Sequence, residues 1–235
     1  MACSGGPDTI NTDLVLALDA ANKVSYSGTG TRWTDLSGYG NNGTLTNGPT
    51  FSNTNGGCIV LDGVDDYVGT TYNSIFNPAS NLSFSIWVNR TITDSNIRNP
   101  IELSAASDEL YFIYWRGDLS PKKWGYGIRQ SNNTYAESTS TSTNFSINVW
   151  YNITLVASST TSLVYLYING LLDSSVAYNG TLKQNASAIL SIGADVANSR
   201  RYWKGNVANT LIYNRALSDS EVLQNYNVTK IRFGL

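Results

Sequence analysis

Short runs in which apolar and polar positions alternate recur along this chain, each bounded by Gly, Asn, Asp or Ser. A period of two sends successive side chains to opposite faces, the mark of a half-buried β-strand. In the first run Leu14, Leu16 and Leu18 share one face, and in another Phe84, Ile86 and Val88 alternate with Ser85, Trp87 and Asn89. Cys58 to Leu61, Leu110 to Trp115, Trp124 to Gln130, Tyr151 to Ala157 and Ala188 to Ile192 read the same way. Many short strands at close spacing, with turn residues between them, predict an all-β, antiparallel sandwich rather than alternating β and α units.

Turn and cap chemistry adds two local elements. Asn169-Gly170, between Leu163–Ile168 and Leu171–Ser174, predicts a β-hairpin, because Asn-Gly accepts the positive φ angles of a type I′ turn. Ser218-Asp219-Ser220-Glu221 has the spacing of a capping box, with Val222 and Leu223 behind it, and predicts one short C-terminal helix. Residues 138–143 are all Ser or Thr and read as an exposed loop. Residues 1–12 read as an N-terminal arm, and residues 13–235 as one domain without repeats.

Charged residues make up 14% of the chain, with a net charge of -2 and no run of Lys or Arg. Such a chain has no broad attraction for phosphate backbones, which excludes nucleic acid as an expected partner. No segment approaches the roughly 20 apolar residues of a membrane span. Residues 1–8 lack the charged and apolar regions of a secretory signal, so folding in a cytoplasm is expected, with Cys3 and Cys58 reduced. The chain holds no His, which removes Ser-His-Asp and Cys-His catalysis and His-bearing zinc sites.

Four segments carry a family resemblance. Leu14 to Ala20 leads into Trp33 to Leu45, with its Asp-x-Ser-Gly-x-Gly-Asn-x-Gly loop; then come Leu61 to Val68, the Tyr151-to-Gly170 hairpin, and Gly205 to Ala208 followed by Ile212 to Ser218. In order and spacing these resemble the laminin-G-like, concanavalin-A-like lectin/glucanase superfamily. The resemblance implies a jelly-roll sandwich. The closing segment, residues 218–235, is similar to that of stand-alone members encoded by tailed phages. This implies a non-catalytic virion surface protein, on capsid, tail or fibre, made in host cytoplasm. Its partners would be other virion proteins, host-surface glycans or further copies of itself. A carbohydrate-binding module of a cellular surface or secreted protein is the alternative, with a glycosidase behind it.

The resemblance also frames the candidate chemistry. Glucanases of this superfamily use carboxylates spaced Glu-x-Asp-x-x-Glu on one strand. The nearest candidates here, Glu102, Asp108 and Glu109, lack that spacing, so no enzyme is expected, although a pair assembled from distant segments stays open. Calcium is the ion that Asp side chains and loop carbonyls would hold, with Asp19 and Asp35 as first candidates and Asp62, Asp65, Asp66 and Asp195 behind them. The competing reading is that these acids cap turns. For glycan or partner contact the candidates are Trp115, Trp124 and Tyr126, beside Tyr114 around the 117–123 loop, and Trp203 with the Arg200-Arg201 pair; core packing competes for the aromatics.

Overall fold

The computed structural model describes residues 8–71, 73–106 and 108–235, so Cys3 lies outside the described residues. Strands β1 (Leu14–Asp19), β2 (Arg32–Trp33), β3 (Gly43–Thr46), β4 (Thr50–Ser52), β5 (Cys58–Asp62), β6 (Tyr67–Thr70), β7 (Leu82–Arg90) and β8 (Ile97–Ala105) fill the first half. Strands β9 (Asp108–Arg116), β10 (Lys123–Arg129), β11 (Tyr135–Thr139), β12 (Trp150–Ser158), β13 (Leu163–Ile168), β14 (Leu171–Ala177), β15 (Ile189–Ile192) and β16 (Lys204–Tyr213) follow, then helix α1 (Asp219–Lys230). They form two antiparallel sheets. The back sheet runs β14-β13-β12-β7-β16-β5-β4, and β1 joins it by pairing with the second half of β16. The front sheet runs β11-β10-β9-β8-β15-β6-β3-β2.

Alternation decides which side chains meet between the sheets. Phe84, Ile86 and Val88 face inward from the back sheet, and Ile101, Leu103, Ile113, Ile128 and Leu190 from the front sheet, all in one buried cluster. Each such side chain contributes about 1.5–3 kcal/mol of apolar burial. Asn169 and Gly170 turn the β13–β14 hairpin at φ 52° and 77°, as the type I′ reading requires. Cys58 is buried.

The outer face of the back sheet is covered by α1 and the residues after it. Trp87 and Trp150 point outward there, and Phe233 stacks on Trp87 at 4.1 Å and packs on Trp150 at 4.8 Å. Trp87 Nε1 donates to Thr229 Oγ1 at 2.8 Å, so the indole is both packed and hydrogen-bonded. The capping box forms as read, with the Ser218 N–H donating to Glu221 Oε2 at 2.9 Å and the Glu221 N–H to Ser218 Oγ. Among the described residues no helix is long and apolar enough to cross a membrane.

Two elements depart from the sequence reading. β8 carries Arg98, Asn99, Pro100, Glu102 and Ser104, which hide the alternation; Pro100, which has no N–H to donate, falls where the β8–β9 register breaks between Arg98 and Ile101. Residues 138–143 are not all loop: Ser138 and Thr139 complete β11 by pairing with Tyr126 and Gly125. Ser140 is buried, its N–H donating to the Trp124 carbonyl at 2.7 Å. Thr and Ser satisfy an edge strand as readily as a loop, which is why composition misled there.

Candidate functional site

Strands β8, β9 and β10 present a second face, away from the core, built from the alternate positions. Here Phe112 and Tyr114 lie over Gly125 and Gly127. A Cβ on Gly125 would come within 2.1 Å of the Tyr114 ring, and one on Gly127 within 2.8 Å of Phe112. Only glycine lets the two rings lie flat on the sheet, stacked on each other at 4.8 Å. Tyr135 on β11 extends this aromatic floor, its ring 6.1 Å from Phe112.

The 193–203 connection between β15 and β16 folds onto the same face. Asp195 and Arg200 exchange backbone hydrogen bonds of 3.0 and 3.1 Å, and the Asn99 N–H donates to the Arg201 carbonyl at 2.8 Å, tying the loop to β8. Arg201 is held at φ 60°, a left-handed conformation that costs a non-glycine residue about 1 kcal/mol or more. The loop thereby sets Arg200 and Arg201 over Glu109, with Arg200 Nη2 2.5 Å and Arg201 Nη1 2.8 Å from the same carboxylate oxygen. Arg200 Nε also donates to Asp195 at 2.6 Å, and Asn198 Nδ2 to Asp195 at 3.0 Å. Arg201 reaches within 5.7 Å of the Tyr114 ring. The result is a groove of about 320 Å³ lined by Glu109, Tyr114, Tyr135, Glu137, Asn198, Arg200 and Arg201.

Beneath the loop, Glu102 is fully buried, and oxygens of Glu102, Glu109 and Asp195 all lie within 4.8 Å of one another. Burial first, then the neighbouring Asp195 and Glu109 charges, push the Glu102 carboxyl well above its ordinary range. Two of the carboxylates noted for their wrong spacing are therefore brought together, and Asp195, far away in sequence, joins them. Asp108 goes elsewhere: a hydrogen bond from Lys183 at 2.7 Å holds its carboxyl below the usual carboxylate range.

The expected aromatic contact residues take another role. Trp115, Trp124, Tyr126 and Trp203 face inward and are at most 2% exposed. Trp124 stacks on Trp203 at 5.8 Å and meets Trp115 edge-on at 5.4 Å. This corrects their reading as a binding platform: in each strand the large apolar rings fill the sandwich, and their alternate neighbours face out. Of the original set, Arg200 and Arg201 line the groove. Tyr135 and Glu137 were missed, and the signal available was the Gly-x-Gly of β10, which marks a face that something lies against.

The first calcium candidates are engaged in turns. Asp35 Oδ1 accepts from the Ala17 and Ser37 N–H groups at 2.8 and 2.9 Å, and Oδ2 from Ser37 Oγ and the Asn41 N–H at 2.7 and 2.9 Å. Its oxygens point at donors, so the turn-capping reading holds and Asp35 has little left to offer a cation. Asp19 accepts from the Ala21 N–H at 2.9 Å and pairs with Arg232 Nη1 at 2.6 Å. Asp62, Asp65 and Asp66 cluster at the β5–β6 turn, where Asp62 Oδ1 accepts from the Val64 N–H and Asp66 Oδ2 from the Asp62 N–H.

The structure is similar to solved receptor-binding domains of clostridial toxins. The binding domain of Paraclostridial Mosquitocidal Protein 1 superposes with a TM-score of 0.70 at 20% identity, over 92% of this chain and 52% of that one. The binding domain of botulinum neurotoxin DC in complex with SialylT gives 0.69 at 16% identity, over 94% and 52%. The same domain in complex with rat synaptotagmin II gives 0.70 at 17%, again over 94% and 52%. At such identities the likeness shows the fold, and the chain spans about half the length of the structures it matches. A search of curated protein sequences finds no significant match. A laminin-G-type family model, described as the concanavalin A-like lectin/glucanases superfamily, matches residues 62–223, which cover all of β6 to β16 and the groove. By that match, and with the two-sheet sandwich that carries it, the chain belongs to the concanavalin A-like lectin/glucanase superfamily.

Proposed function

We propose that this chain is a non-catalytic recognition module whose front-sheet groove takes a glycan. The carrying observation is the groove itself, in which the Tyr114 and Tyr135 rings are flanked by Arg200, Arg201, Glu137 and Asn198. A pyranose offers an apolar CH face to such rings and hydroxyls to such planar polar groups, and the arginines, paired with Glu109 and Asp195, present donors to a neutral sugar. Toxin domains of the same fold have been solved with a glycan and with a protein bound, which supports recognition as the role. Against catalysis, Glu102 and Asp195 are fully buried, and Glu109 is held by both arginines, so none is free to attack or protonate a glycosidic bond.

We place the module on the surface of a tailed-phage particle, on the likeness of residues 218–235 to phage-encoded members. There it would attach the particle to host glycans or to neighbouring virion proteins. Glycan-array screening of the purified protein tests the recognition role: binding of glycans is expected, and Arg201→Ala should weaken it at least tenfold. A blank array, or binding indifferent to both Arg201→Ala and Tyr135→Ala, counts against the groove. Mass spectrometry of gradient-purified particles tests the setting, and absence from intact particles removes the virion role.

A further inference from the structure

The cover over the back sheet is interrupted at one place. Residues 8–11, β1, β16 and the last turns of α1 enclose a cavity of about 430 Å³, at the small end of the ~300–1,000 Å³ that ligand pockets occupy. Its walls are tied in position: the Ile10 N–H donates to Asn225 Oδ1 and Gln224 Nε2 to the Asp8 carbonyl, both at 2.8 Å, and the Tyr213 hydroxyl donates to the Ile10 carbonyl at 2.9 Å. Leu14, Ala17 and Leu211, at most 8% exposed, give it an apolar side. Among these neighbours stands Asn209, itself 7% exposed, whose side-chain amide has no hydrogen-bond partner among the described residues. Buried amides are almost always bonded, so a group more than nine-tenths buried that lines a cavity draws its partner from there. Asp19 lies directly opposite Asn209 in the β1–β16 ladder, a placement that brings Cβ atoms within about 4.5–5.5 Å. It lines the same cavity, and because the Ala21 N–H and Arg232 Nη1 both bond its Oδ1, Oδ2 is left without a partner among the described residues.

The charges here select against ions. Arg232, 2.6 Å from Asp19, repels a second cation, while Asp19 and Asp8 repel an anion. What remains is a neutral ligand that donates to Asp19, both donates to and accepts from Asn209, and sets carbon against Leu14 and Leu211. Adjacent hydroxyls on a carbon ring supply all of this. We propose that the cavity binds a neutral sugar, a single pyranose unit whose neighbouring hydroxyls bridge Asp19 and Asn209. The site lies on the sheet opposite the front groove and does not depend on it.

Saturation-transfer NMR of the whole protein with methyl glucoside, methyl galactoside and methyl mannoside reads the binding directly. At least one of these pyranosides should receive transfer. Asn209→Leu should weaken its binding at least tenfold while leaving Tm equal or higher, since leucine suits the apolar side and removes the unmatched amide. Asn209→Ala serves in the same way if Asn209→Leu does not fold. No transfer to any of the three pyranosides, or transfer undiminished by these substitutions, overturns the site. Transfer that Arg201→Ala abolishes and Asn209→Leu spares belongs to the front groove and overturns it equally.

Discussion

Asp35 accepts four hydrogen bonds, three from the loop residues Ser37 and Asn41 and one from Ala17 on β1, so its carboxylate works as a hub for the 33–45 loop. Asp35→Ala strands the Ala17 and Asn41 N–H groups in a buried setting and should cost about 2–4 kcal/mol in urea unfolding, with no rescue by calcium. An unchanged midpoint would show that the loop holds itself. Gly125 makes the opposite kind of demand, for the absence of atoms. Gly125→Ala drives a methyl into the Tyr114 ring and should cost about 1–3 kcal/mol. Since the clash is with one ring, Tyr114→Ala should recover most of that loss in the double variant, and strictly additive costs would contradict the flat-ring arrangement. Asp35 was legible as a turn residue from its Asp-x-Ser-Gly setting. The direction of Tyr114 was not, because that depends on whether Trp115 beside it wins the interior.

At the scale of elements, α1 is closed at its N-terminus by Glu221, which accepts from the Ser218 N–H and from Arg215 at 2.7 and 2.9 Å. The Arg215 hydrogen bonds pull the Glu221 carboxyl from its ordinary 4.5 down to about 2. A depressed folded-state value means the contribution is present above pH 4.5 and is lost as pH falls from there towards 2. Glu221→Gln should therefore be less stable than wild type at pH 7, by about 1 kcal/mol, and the gap should close by pH 2. A gap that stays constant with pH would remove Glu221 from the acid response. This helix, the β13–β14 hairpin and the strands rich in Leu, Ile and Val were legible because local chemistry and tertiary demand agree. β8 was not, since its outward positions are polar groups buried by a loop from nearly 100 residues later, and no window along the chain contains both.

Across the whole molecule the two outer faces are treated differently. The back is sealed by α1 and the turn after it, where Phe233 lies between Trp87 and Trp150 and Arg232 bonds Asp19, the Asn55 carbonyl and the Gly57 carbonyl. Phe233→Ala should cost about 3 kcal/mol and shift tryptophan emission to the red as water reaches Trp87; unshifted emission would mean the seal does not depend on this ring. The front stays open as a groove whose two parts answer to different conditions. In its floor Tyr114 is already held, stacked on the fully buried Phe112 over glycine, and a ligand settling against it freezes almost no motion of that ring. Its rim is ionic, and Arg200 remains 48% exposed along its side chain. Shape discrimination thus resides in parts that salt does not touch, while affinity rises and falls with ionic strength through the rim. Selectivity and tightness can be altered independently in this molecule, the first by substitutions at 112, 114, 125 and 127, the second at 200 and 201.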